Sequence, residues 1–283
     1  MLDIFTEPKH RAENAPAIHL HTEVMGDGDE TLVFLAGLGG TTRYWSPRIA
    51  RLADKYTIVL VDLLGFGDSP KPWIRYSVER HVDALHNTLA PLGPITLIGH
   101  SLGALLTLAY AARFPPQVNG MVLMSLPYFG SKASAYDYFK KRDAGGEVRA
   151  LITTNMALTI VTCILTRRVF GKILPYLIRD MPKEIVADLV KHTWRSSTSS
   201  LWEVVYRYDA LDDIRKIPSR IKVVCIHGGA DTTAPPSSLD IISRHQPEWN
   251  IEMMQDVDHH PFLRNTQQCI DLIEAVATRS GTT

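Results

Sequence analysis

Residues 95–114, ITLIGHSLGALLTLAYAARF, constrain this chain more than any other stretch. Four apolar residues, Ile95 to Ile98, lead into Gly99-His100-Ser101-Leu102-Gly103. Apolar residues then recur at helical spacing at Leu105, Leu106, Leu108, Ala109 and Ala112. The pattern predicts a strand, a sharp turn and a helix that begins at the turn. Glycine on both sides of the turn leaves room where a Cβ would clash, so Ser101 can occupy a strained backbone with its hydroxyl presented. The first N–H groups of the helix and the positive end of its dipole then face any anion that forms beside Ser101. Five letters of this kind also fit an ordinary helix N-cap, so the surrounding chain has to decide.

At 283 residues the chain suits one large domain, or a domain carrying an insertion. Hydrophobic residues at 45% and charged residues at 21% allow a large core. Lys+Arg and Asp+Glu are both 30, and the zero net charge argues against nucleic acid or an acidic membrane as an electrostatic partner. The three cysteines, Cys163, Cys225 and Cys269, have neither metal-ligand spacing nor a disulfide pattern, which fits a reducing compartment. Residues 1–16 are charged throughout and read as a loose lead-in without a secretory signal. Taken together these features predict a cytoplasmic protein.

Along the chain, Ile18 to Val24 alternates as an edge strand would. Thr31 to Ala36 is a continuous apolar run, as in a parallel strand buried on both faces. Ser46 to Lys55, Tyr76 to Leu92, Pro236 to His245 and Gln267 to Thr278 read as helices. Thr57–Val61, Gly120–Ser125, Ile221–Ile226 and Asn250–Gln255 read as strands. Residues 127 to about 216 break this alternation and are rich in aromatic residues. Within them, residues 150–166 carry no charge. The run is short for a membrane span and is diluted by threonines and an asparagine. A buried helix lining a substrate pocket is expected, with Leu158 and Ile160 as candidate pocket residues; Arg167 and Arg168 suit its C-terminal end.

Gly99-x-Ser101-x-Gly103 between a strand and a helix, with Asp62-Leu-Leu-Gly-Phe-Gly-Asp-Ser69 upstream, resembles the α/β-hydrolase family. Two further segments follow in matching order. Ile221–Ile226 ends in a glycine-rich turn carrying Asp231, with Pro235 beyond it, and Asn250–Gln255 ends in Asp258-His259-His260-Pro261. The resemblance spans residues 31–278 and implies a mostly parallel, doubly wound sheet of the α/β-hydrolase type. The core would be 1–126 and 217–283, with 127–216 inserted as a helical cap. It implies Ser101 as nucleophile, Asp231 as the acid and His259 as the base. Alignment on Pro261 places the variable residue at His260, expected to be exposed or cap-facing. The residues after Gly120–Ser125, where some relatives carry the acid, include no carboxylate. Asp62 is expected to order its loop.

Gly37-Leu38-Gly39-Gly40 follows the strand Thr31–Ala36, where the family places half of its oxyanion hole. The backbone N–H groups of Leu38 and Leu102 are the implied donors. The family's usual His-Gly is Ala36-Gly37 here, and Asp258 replaces its usual Gly, which would stiffen the His loop. No Gly-Lys-Ser/Thr follows the glycine-rich loop, so it is not a phosphate loop. The implied chemistry uses no metal and no organic cofactor. A serine at the elbow points to hydrolysis of a small, largely apolar ester, lactone or thioester. C–C bond hydrolysis of a diketone and non-hydrolytic ligand binding on the same fold remain alternatives.

Overall fold

A computed structural model of the chain describes residues 17–142 and 154–278. The expected lead-in, 1–16, lies outside the described residues. Seven strands form one sheet: β1 (Thr22–Met25), β2 (Thr31–Leu35), β3 (Thr57–Val61), β4 (Ile95–His100), β5 (Val118–Met124), β6 (Lys222–Gly228) and β7 (Asn250–Met254). Their order is β1-β3-β2-β4-β5-β6-β7. Only β1 runs antiparallel, paired through Thr22↔Val61 to Met25↔Ile58. The chain steps outward from β2 to β3, then returns across β2 to β4. Ligands bind at the carboxyl ends of the strands where the order reverses in this way, and Gly37-Leu38 and Ser101 follow those two strands.

Continuous apolar strands bury both faces because each face carries its own helices. Val33 and Leu35 of β2 point into one core with Val82 and Leu85 of α2 (Val78–Leu89) and the apolar side of α3 (Leu102–Arg113). Leu32 and Phe34 point into the other. There they meet Trp45, Ile49 from α1 (Ser46–Ile49) and Ile270 and Ile273 from the C-terminal helix, Thr266–Ala277. The expected helix over 46–55 is α-helical only to Ile49 and tightens into 3₁₀ turns over Ala50–Asp54.

The edge strand starts at Thr22, four residues later than the alternation implies. Its predecessors spend their backbone donors elsewhere: the Leu20 N–H bonds Thr88 Oγ1 and the His21 N–H bonds Ser69 Oγ, both at 2.9 Å. Asp62 orders its loop as expected. One oxygen accepts from Thr42 N (2.9 Å) and the other from Asp68 N (2.7 Å). A Cβ on Gly67, whose φ is +53°, would lie 2.0 Å from that carboxylate, so only glycine fits there.

Between β5 and β6 the described chain is helical: α4 (Lys132–Arg142), α5 (Met156–Leu165), α6 (Leu174–Leu177), α7 (Lys183–Asp188), α8 (Trp194–Ser200) and α9 (Leu211–Lys216). The α5 helix runs on in wider π turns over Thr166–Phe170, and α8 does so over Leu201–Tyr206. The later half of this segment is clasped to the sheet domain by buried polar contacts. Asp188 accepts from Thr41 Oγ1 at 2.7 Å, Ser196 Oγ donates to Gly65 O at 2.8 Å, and His81 Nε2 meets Ser200 Oγ at 2.9 Å.

The uncharged run behaves otherwise than its composition suggests. Residues 150–153 lie outside the described residues. From Asn155, whose side chain caps the Ala157 and Leu158 N–H groups, the helix forms but buries none of its residues fully. Val161 and Leu165 are about half exposed, at 52% and 48%. Among the described residues no helix is long and apolar enough to cross a membrane.

Candidate active site

Ser101 sits between β4 and α3 at φ +53°, ψ −115°, a region that L residues rarely occupy. Its N–H bonds Met124 O on the neighbouring strand tip at 2.9 Å, which holds the strained backbone in place. The flanking glycines are needed for packing. A Cβ on Gly99 would lie 2.5 Å from Gly103 O and from Thr107 Oγ1, and one on Gly103 would lie 2.3 Å from Leu35 O. The helix therefore leaves the sheet at a distance only glycines permit.

Three residues widely separated in sequence meet here. His259 Nε2 lies 2.9 Å from Ser101 Oγ, and His259 Nδ1 lies 2.7 Å from Asp231 Oδ2. An imidazole donating from Nδ1–H to Asp231 and accepting the Ser101 hydroxyl proton at Nε2 satisfies both contacts. The other oxygen of Asp231 accepts from Thr233 N (2.7 Å) and Ala234 N (2.9 Å). Burial pushes the Asp231 carboxyl up, but the His259 hydrogen bond and charge, with the two backbone donors, outweigh it. The carboxylate is therefore held below its usual range.

His260 is half-buried rather than exposed, and it lines a pocket shared with the helical segment. It stands 3.4 Å from Tyr44 Oη through Nδ1. Burial, helped by the neighbouring His259, drives it down to about 4 and keeps it neutral. The Asp258 carboxylate accepts from His260 N at 3.0 Å and from Arg264 Nε at 3.1 Å, bonds a glycine there would not make.

Sequence reasoning missed His100. Its Nε2–H donates to the His259 carbonyl at 2.7 Å, while its ring stacks on Tyr44 at 4.9 Å between centroids. Burial first, then His259 and His260, hold it well below the ordinary imidazole range. The available signal was its position as the residue just before Ser101 inside the motif.

Ser101, His259 and Leu38 open into a pocket of about 330 Å³. Phe139, Ile185, Leu189, Leu201 and Val205 of the helical segment form its apolar wall. Neither Leu158 nor Ile160 lines it, contrary to expectation. Among the described residues no Lys, Arg, Asp or Glu lines the pocket either. Leu102 opens α3, so its N–H has no carbonyl four residues back within the helix. Elsewhere, His21, Asp62 and Asp68 bring ligand atoms within 4.8 Å of one another. Both Asp62 oxygens are already engaged by backbone N–H groups there.

A mostly parallel seven-stranded sheet with a serine elbow at its switch point defines an α/β hydrolase. The chain belongs to the alpha/beta hydrolase family, whose model matches residues 32–272. An uncharacterized protein of Mycobacterium tuberculosis is 26% identical over 265 residues, covering 89% of this chain and 76% of that protein. Lipase 1 of Psychrobacter immobilis is 26% identical over 255 residues, covering 87% and 76%. A solved thermophilic esterase from Thermogutta terrifontis superposes with a TM-score of 0.69 at 18% identity, covering 92% of this chain and 94% of its own.

Proposed function

We propose that the protein is a serine hydrolase of small, largely apolar esters, lactones or thioesters, working through an acyl-enzyme on Ser101. The observation that carries this reading is the continuous chain from Ser101 Oγ through His259 to Asp231, at 2.9 and 2.7 Å, at the floor of an apolar pocket. A serine hydroxyl is a weak nucleophile at neutral pH and needs a base. His259 takes the Ser101 proton as Oγ attacks the carbonyl carbon, and returns it to the departing alkoxide or thiolate. Asp231 fixes the tautomer and offsets the charge on the imidazolium. The N–H groups of Leu38 and Leu102 stabilise the oxyanion, each worth about 3 kcal/mol of barrier. Water activated by His259 then releases the acid.

The relative described as a lipase supports ester cleavage. The lining favours a neutral substrate over an anionic diketone, because among the described residues no cation reaches the pocket. The helical segment that forms the apolar wall acts as the cap. A fluorophosphonate probe should label Ser101 stoichiometrically, and p-nitrophenyl esters should turn over faster as the acyl chain lengthens until the pocket is full. Each added buried CH₂ should raise kcat/KM by up to about 0.8 kcal/mol. No labelling of the folded protein would leave ligand binding as the function. Labelling without ester turnover would turn the search to C–C bond substrates.

A further inference from the structure

Seven of the ten exposed large apolar side chains among the described residues lie between positions 161 and 177. Val161, Leu165, Val169, Phe170, Ile173 and Leu177 are 45–65% exposed, and Tyr176 reaches 67%. Val161, Leu165 and Val169 recur at every fourth residue along α5 and its π extension, which places them along one side of the helix. The same stretch is polarised in charge. Residues 154–179 contain Arg167, Arg168, Lys172 and Arg179 and no Asp or Glu, with Asp180 the first acid after them, in a chain that carries 30 charges of each sign in all. Arg167 and Arg168 also line a recess of about 230 Å³ with Ile164 and Trp194.

A local concentration of exposed apolar side chains points to an interaction site. Its basic flanks choose among partners. Two copies of this face would bring like charges together, which disfavours self-association. Exposed apolar side chains interleaved with Arg and Lys suit a bilayer, where the apolar groups enter the headgroup–acyl boundary and the cations meet lipid phosphates. The zero net charge of the whole chain argues against an acidic membrane, but it averages over a local excess of cations: we propose that residues 161–177, with Arg167, Arg168, Lys172 and Arg179, form a docking face for an anionic lipid bilayer. The face leads directly along the chain into Met181, Ile185 and Leu189, which line the pocket at Ser101. Docking would therefore set the pocket wall beside the lipid surface. This proposal stands apart from the chemistry at Ser101.

The test is flotation of the full chain with vesicles of phosphatidylcholine, with and without phosphatidylglycerol. Binding should need phosphatidylglycerol and weaken with salt. Arg167→Gln/Arg168→Gln should lower the partition coefficient roughly 30-fold, at about 1 kcal/mol per cation. Phe170→Ser/Leu177→Ser should lower it roughly tenfold or more. Both variants should keep the wild-type circular dichroism spectrum and turnover of a water-soluble ester, which separates loss of docking from loss of fold. The proposal is overturned if the wild type does not float, if both variants float as well as it does, or if sedimentation shows a dimer that Phe170→Ser/Leu177→Ser dissociates.

Discussion

The elbow and the stretch from Thr154 to Asp180 are opposite solutions for apolar sequence. In α3 every residue from Leu102 to Ala111 is buried, and the backbone around it accepts strain and contacts that only glycine tolerates. In α5, as apolar in composition, no residue is fully buried and the exposed side chains continue to Leu177. Helical periodicity is the same in both. What differs is the surroundings: α3 lies against a sheet, whereas α5 meets mainly other helices. The first arrangement allows ångström-level placement of a reacting group. The second gives a surface free to meet something else.

The largest test of this contrast is at the elbow. Ser101→Ala should reduce kcat by several orders of magnitude, on the scale of other serine triads, with a thermal melt close to wild type. His259→Ala should cost a comparable factor and His260→Ala far less. The reverse ranking in ester turnover would reassign the base.

Packing at the same point gives the next effect. Gly103→Ala puts a Cβ 2.3 Å from Leu35 O, a backbone atom that cannot swing aside. Destabilisation of about 3 kcal/mol or more is expected in urea unfolding, at the upper end of overpacking costs. A melt unchanged by this substitution would mean that the close approach of helix and sheet is not required.

Phenylalanines compare the two regions directly. Phe34→Ala removes a fully buried ring and should cost about 3–5 kcal/mol. Phe170→Ala removes a ring that is 45% exposed and should stay within about 0.5 kcal/mol. Equal costs would show that Phe170 is covered in solution, by a partner or by a second copy.

The comparison also extends to the pH dependence of stability. Burial depresses His81 to about 3, and His192 and His260 to about 4. Unfolded, each titrates near 6.5 and takes up a proton that the folded state refuses. The stability they contribute is fully present above the unfolded value and is lost as pH falls towards the folded one. Each should cost about 2 kcal/mol by about pH 5. His81 meets Ser200 of the helical segment and His192 meets Cys163 within it, so acid should loosen that segment. Replacing His81 by Gln should flatten the acid limb of the melting profile. An unaltered limb would remove His81 from the account.

Much of the fold was legible because parallel strands buried on both faces must be apolar throughout, and glycines at fixed spacing mark backbone contacts. Ile95–His100, Gly99-x-Ser101-x-Gly103 and Asp62 all behave as their local chemistry dictates. The order Ser101, Asp231, His259 could be read because the segments that end three strands resemble those of the α/β-hydrolase family. What remained hidden depends on groups brought together over long separations. His100 reaches the His259 carbonyl across 159 positions, and Thr41 reaches Asp188 across 147. The exposure of α5 and the pocket lining by Phe139, Leu189 and Val205 belong to the same class. Hydrophobicity in a sequence states that a side chain gains from leaving water. Only the tertiary structure decides whether protein is there to receive it, because burial depends on what the rest of the chain places opposite.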